Sequence, residues 1–328
     1  MPGRHRLSRY SPAYPTLLAS FLVETYPARR TRTAGALLGT AVALAALAVW
    51  APPAPARTEL SVMTWNVCTA TNPVCGLYRA DEHELARRIG ERVVSGPIRP
   101  DVVFLQEFCT GAARALELHL ERATGRAWSM RWWAVTSADG RPYPCRPDRR
   151  GRSRGAQSIA VAVAEPEHAV TFTTHPLPAP PWYVRRAAQC VTVHARRVHA
   201  CGTHLSAGTR YDDREPGAPY RTRQLARLLA IAAKPGHHVV FGGDLNVVPP
   251  DAVARRPGGA RAVAPAYRDY AECDQAGAAR TGRWTYQGDG IRAKLDYLFA
   301  ARGRIRACHV TEAAPLSDHR PLYMRVAL

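Results

Sequence analysis

From Leu60 to the C-terminus the chain alternates β-rich runs with charged helical runs, and polar residues recur where the β runs end. The hydrophobic period switches between about 2 and about 3.6 residues along this stretch, which separates strands from amphipathic helices. Strands are predicted over 60–67 and 101–106, with β-rich stretches over 158–163 and 191–203. Further strands are predicted over 238–241, 294–299 and 322–326, and helices over 82–94, 110–124 and 221–233. No internal repeat or linker interrupts the series, so 57–328 reads as one domain. At 46% hydrophobic and 22% charged residues, the composition suits a folded soluble domain and neither a disordered chain nor a multi-span membrane protein.

The polar groups at the strand ends are Asn66 in MTWNVC, Glu107 in LQEF, His204 in GTHL, Asp244 and Asn246 in GGDLN, Asp296 in KLDYLF, and Asp318 and His319 in SDH. A rigid sheet presents side chains to a ligand from strand ends and the loops beyond them. Each motif alone has a plain explanation, because strand-terminal Asn and Asp make Asx turns and a lone Glu is usually solvated.

The net charge of +19 suits a polyanionic partner. Of the 45 basic residues all but Lys234 and Lys294 are arginine, a skew that a GC-rich coding bias also produces. Between the periodic runs, 141–154 (RPYPCRPDRRGRSR) is a Pro- and Arg-dense loop. It reads either as a solvated connection or as a loop gripping phosphates through Arg146, Arg149, Arg150, Arg152 and Arg154.

Upstream, 34–50 (AGALLGTAVALAALAVW) is uncharged, follows Arg29, Arg30 and Arg32, and precedes Ala54-Pro55-Ala56. Basic region, apolar region and small residues follow the order of a secretory signal. At 17 residues the run is at the short limit for a spanning helix, so 1–56 reads as a signal segment, with a membrane anchor over 34–50 as the alternative. All eight cysteines lie after this segment, as expected of a disulfide-permissive compartment. Two pairs are read locally: Cys68 with Cys75 across a short loop, and Cys190 with Cys201 in a hairpin turning at Ala195-Arg196, although that turn lacks Gly or Asn.

Taken together, the six motifs in this order resemble the endonuclease/exonuclease/phosphatase superfamily, which includes deoxyribonuclease-I-like nucleases, neutral sphingomyelinases and inositol-polyphosphate 5-phosphatases. The resemblance spans Met63 to Leu328. It implies an α/β fold, a four-layer α/β/β/α sandwich of two packed mixed β-sheets with the site at one edge. It also implies a metal-dependent phosphodiesterase using Mg2+, with Mn2+ or Ca2+ as substitutes.

On that resemblance Glu107 would bind the metal, assisted by Asn66 and Asp318, and hard oxygen ligands of this kind suit Mg2+. Asp244 would orient and deprotonate the attacking water, and Asn246, two residues on and on the same face if extended, would hold a phosphate oxygen. His204 and His319 would flank the scissile phosphate. Asp296 would fix an imidazole tautomer, with His319 the favoured partner. Trp284 is read as core packing, and Tyr286 as stacking on a base or packing.

A secreted, monomeric nuclease acting on DNA is the leading expectation, with no protein partner implied. The alternatives are a sphingomyelinase-like lipid phosphodiesterase, for which Trp182-Tyr183 in PLPAPPWYVRR is the one candidate membrane-docking element, another phosphatase of the superfamily, and a non-catalytic binding descendant.

Overall fold

Alternation along the strands decides the layering. In the computed structural model, which describes residues 58–328 apart from 70–71, 215–216, 253–256, 276, 289 and 313–314, twelve strands form two six-stranded sheets. The predicted signal segment 1–56 lies outside the described residues, and among those residues no helix is long and apolar enough to cross a membrane.

The first sheet contains β1 (Glu59–Asn66), β2 (Val102–Cys109), β3 (Ser129–Ala134), β4 (Gln157–Val163), β13 (Ile305–Val310) and β14 (Leu322–Ala327), in the order β13-β14-β1-β2-β4-β3. The second contains β5 (Val170–Leu177), β6 (Arg186–Val193), β7 (Val198–His204), β8 (His238–Asp244), β9 (Ala271–Glu272) and β12 (Asp296–Ala300), in the order β5-β6-β7-β8-β12-β9. A separate two-stranded ribbon joins β10 (Tyr286–Gly288) to β11 (Ile291–Ala293). The pairs β1–β2 and β7–β8 are parallel and the other pairs within the two large sheets antiparallel, so both sheets are mixed.

The inner strands are buried on both faces, as sheets covered on two sides require. On β1, Met63 and Trp65 pack beneath α1 (Glu82–Ser95) and α2 (Ala113–Thr124), while Leu60 and Val62 enter a second core between the sheets. The second sheet repeats the pattern. Val198, Val240 and Leu298 face the first sheet, whereas Cys201, Phe241 and Phe299 join a third core with Leu225 and Leu228 of α3 (Pro219–Ala232) and Val263 of α4 (Pro257–Asp269). Three cores between four layers make the α/β/β/α sandwich that the family resemblance implied.

Local chemistry sets the element ends. Asp81 caps α1, accepting the Glu84 amide at 2.9 Å, and left-handed Gly125 ends α2. In the β6–β7 hairpin Cys190 faces Cys201 as read from sequence, and Arg197 takes the positive φ that the turn needs in place of Gly or Asn. Both local disulfides are present, Cys68–Cys75 and Cys190–Cys201, joined by Cys109–Cys145 and Cys273–Cys308.

Candidate active site

Parallel pairing brings the C-terminal ends of two strands together, and antiparallel pairing brings the start of a third beside them. His204 ends β7 opposite Asp244, which ends β8, and Asp244 stands opposite Asp296, which begins β12. Asn66 ends β1 in the first sheet. These four residues share strand parity with Leu60, Val198, Val240 and Leu298, so they belong to the layer between the sheets. Asn66, His204 and Asp244 line a cleft of about 540 Å³ where that layer opens, and Asp296 lies fully buried behind them.

Glu107 reaches the cleft through a break in pairing. The β2–β4 register shifts between Leu105 and Phe108, and Glu107 takes φ 52°, a left-handed conformation unfavourable for a Glu. Thr69 Oγ1 holds this turn by donating to the Glu107 carbonyl at 2.6 Å. Asp244 follows Gly243, whose φ of 130° and position against the Thr203 carbonyl leave no room for a Cβ.

Asp244 is the hub. Its Oδ2 accepts from Asn66 Nδ2 at 3.0 Å, and its Oδ1 accepts the Asn246 amide at 2.9 Å. The Nε2 atoms of His204 and His319 lie 3.4 and 3.7 Å from Oδ2. Asn66 Nδ2 also donates to Glu107 Oε1 at 3.3 Å, and Asn66 Oδ1 accepts the Cys68 amide. His319 Nδ1 pairs with Asp296 Oδ2 at 2.8 Å, so the acid expected beside an imidazole is beside His319.

The expected geometry of Asn246 is corrected. The strand ends at Asp244, and Asn246 has φ 50°, so it does not share a face of extended chain with Asp244. It lines the cleft through a left-handed turn instead, its carbonyl held by Arg221 Nη1 at 2.7 Å and its Nδ2 donating to the Leu205 carbonyl at 3.1 Å. Asp318 also lines the cleft, its Oδ2 accepting from Asn72 Nδ2 at 2.9 Å.

Burial pushes the Glu107 carboxyl up, and nearby Asp318 adds to the rise. Burial likewise raises Asp244, to about 7, against the pull of His319. For His319 burial acts downward, but the carboxylates of Asp296 and Asp244 outweigh it and lift the imidazole to about 10. His204 is driven well below its ordinary value by burial and by the charges of Arg186 and His319. One imidazole is therefore held charged and the other neutral.

The arginine loop lies elsewhere. None of Arg146, Arg149, Arg150, Arg152 and Arg154 lines this cleft, and three of them serve the fold. Arg149 pairs with Glu84 and Arg152 with Asp148, while buried Arg154 donates to the Thr69 carbonyl. Arg146 and Arg150 are exposed. Two other arginines line the cleft: Arg221, paired with Asp213 at 2.9 Å, and Arg186, which begins β6, is 8% exposed and pairs with Asp212 at 3.1 Å. Sequence reading passed over Arg186, which is one of 43 arginines and lies in no motif that was singled out. Tyr286 lines the cleft with its ring 4.9 Å from that of His319. Trp284, expected in the core, is half-buried and lies between the guanidiniums of Arg320 and Arg292, at 4.1 and 4.8 Å.

A four-layer sandwich with acids, amides and imidazoles gathered at the open edge of its inter-sheet layer defines a class of phosphoester-cleaving enzymes. Residues 63–319 match the Endonuclease/Exonuclease/phosphatase family, and the chain belongs to it. This family includes nucleases, phosphodiesterases and phosphatases. Its enzymes generally use divalent metal ions such as Mg2+.

Among solved structures, the human Nocturnin catalytic domain with bound sulfate superposes with a TM-score of 0.57 at 17% identity, covering 82% of this chain and 94% of that one. A family protein from Bacteroides vulgatus gives 0.53 at 16% identity, over 83% and 100%. D. rerio TDP2 complexed with a single-strand DNA product gives 0.50 at 17% identity, over 82% and 99%. At these identities the likeness is one of fold. Comparison with curated protein sequences finds no match.

Proposed function

We propose that this protein is a secreted, Mg2+-dependent nuclease that hydrolyses DNA phosphodiester bonds as a monomer. The observation that carries the reading is the position of Asp244, whose carboxylate faces two imidazoles of opposite charge state and is bonded to the amide that also touches Glu107.

Glu107 and Asp318 fit a hard cation, with Asn66 assisting by holding the Glu107 carboxylate through Nδ2 while its Oδ1 accepts the Cys68 amide. The two carboxyl groups offer oxygen donors, and half-buried Glu107 lies near the like charge of Asp318 with no cation of this chain paired to it among the described residues. A bound Mg2+ would neutralise phosphate charge there. Asp244 accepts a proton from the attacking water and aligns it with phosphorus. His204, neutral, donates one N–H to a non-bridging oxygen, and the Asn246 amide holds another. His319, kept protonated by Asp296, gives its proton to the departing ester oxygen as the phosphorus–oxygen bond breaks. Arg186 adds a fixed positive charge near the phosphate.

Four disulfides within the domain support an oxidising destination, and with it a cleaved signal over 1–56. The net charge of +19 and the DNA product bound to the TDP2 relative support a nucleic-acid substrate.

Digestion of supercoiled plasmid with Mg2+ or with EDTA, by the wild type and by Glu107→Ala and His319→Ala, tests the proposal. Nicking that needs metal and both side chains supports it. Absence of cleavage of plasmid, linear and single-stranded DNA rejects it.

A further inference from the structure

One lip of the cleft carries features that the chemistry above does not use. It is built from 178–186 and 207–214, which contribute Tyr183, Arg186 and Thr209 to the lining. Just outside stand Trp182 and Tyr211, 62% and 58% exposed. Large aromatic side chains are seldom left so open on a soluble surface.

These rings are held in place. Trp182 Nε1 donates to the Tyr211 carbonyl at 3.1 Å, which ties the two segments together, and its ring meets that of Tyr220 edge-on at 6.1 Å. The Arg210 guanidinium lies 4.6 Å over the Tyr211 ring, and that of Arg223 lies 4.5 Å over Tyr220. Arg210, Arg214 and Arg223 are exposed, and among the described residues none pairs with a carboxylate.

Anchored aromatic rings that alternate with unneutralised guanidiniums match the alternation of base and phosphate along an unpaired strand. Stacking on such rings needs an exposed base face, which a duplex keeps inside its own stack. We infer that this lip, with Trp182 and Tyr211 as its platforms, seats unpaired bases of a single-stranded nucleic acid leading into the cleft. The inference rests on the nuclease reading and narrows it from DNA in general to unpaired strands.

The test uses the whole protein in EDTA, with fluorescence anisotropy of a labelled oligothymidylate and of a hairpin duplex of equal length, for the wild type, Trp182→Ala, Trp182→Phe and Tyr211→Ala. Trp182→Ala should weaken single-strand binding about tenfold, with a duplex loss under about twofold and with Phe restoring most of the difference. Hydrolysis of bis(p-nitrophenyl) phosphate, too small to reach the lip, should be unchanged by any of the three.

An equal loss on both nucleic acids, or no loss on either, overturns the inference. So does a loss of binding confined to sphingomyelin vesicles, which would make the lip a membrane-docking element. The two readings fail separately. A wild type that binds the strand through Trp182 but cleaves no polynucleotide sinks the nuclease reading alone, whereas strand cleavage and binding indifferent to Trp182→Ala sink this inference alone.

Discussion

His319 Nδ1 lies 2.8 Å from Asp296 Oδ2, a fully buried carboxyl group at the start of β12, and this contact turns the Nε2 edge of the ring toward Asp244, 3.7 Å away. The ring is fixed from two further directions. Its backbone amide donates to Ser317 Oγ, and its carbonyl accepts from Trp65 Nε1 at 3.1 Å.

Asp296→Asn keeps the shape but removes the charge that holds His319 protonated and in one tautomer. We expect kcat on a nucleic-acid substrate to fall about 100-fold or more, with KM little changed. Steady-state kinetics with a fluorogenic oligonucleotide measures this, and a fall below about threefold would show that His319 works without its acid.

Metal should reveal itself through stability as well as activity. A ligand that binds only the folded state at about 100 times its dissociation constant adds about 2.7 kcal/mol. Mg2+ should therefore raise the melting temperature of the wild type, while Glu107→Gln should show little or no shift. Differential scanning fluorimetry across a Mg2+ series decides it, and equal shifts in both proteins would remove Glu107 from the metal site.

The disulfides should differ in what they protect. Cys68 and Cys75 are 7 residues apart and Cys109 and Cys145 are 36 apart. Loop-closure entropy then assigns about 2.5 kcal/mol to the first and about 4 kcal/mol to the second. The shorter loop, however, holds the site: the Cys68 amide donates to Asn66, and Asn72 donates to Asp318. Replacing both cysteines of the short loop with alanine should cost more activity and less stability than the same change at Cys109 and Cys145. Urea unfolding beside kinetics compares them, and the opposite ranking would contradict the assignment.

His199 supplies a pH dependence remote from the site. Burial, aided by the charge of Lys234, lowers its pKa from 6.5 to about 4 in the folded protein. Above pH 6.5 the ring is neutral whether the chain is folded or not, so it costs nothing. As pH falls from 6.5 toward 4 the unfolded chain takes up the proton first, and stability is lost across that window. The melting temperature of the wild type should therefore drop relative to His199→Gln between pH 7 and pH 4.5, and a constant difference between the two would refute the linkage.

The strands in the middle of each sheet were legible, because an inner strand covered on both faces writes a continuous apolar run. Leu60–Val67, DVVFLQ and KLDYLF are of this kind. The strands that reading missed include β3, β5, β9 and β13, which are the four sheet edges. An edge strand is partly solvated and interrupts its own pattern: Trp132 on β3 is 44% exposed, and β5 is buried only at its two ends, Val170 and Leu177. Helix α4 was hidden for another reason, since Pro265 lies inside it and Gly258 and Gly259 near its start, all poor helix formers.

What the sequence determined alone is local. It set the order of polar residues at strand ends, the parity that assigns them to one layer, and the disulfides within short reach. Tertiary structure decided which of these residues meet. Only the register of β7, β8 and β12 sets His204, Asp244 and Asp296 in a row, and only the return of the chain before β14 delivers His319 to Asp296. The same packing turned the arginine loop onto Asp148 within it and Glu84 of α1, and placed Arg186 in the cleft. Periodicity is written residue by residue, whereas register and polar pairing between residues 26 to 254 positions apart depend on how whole layers close on one another.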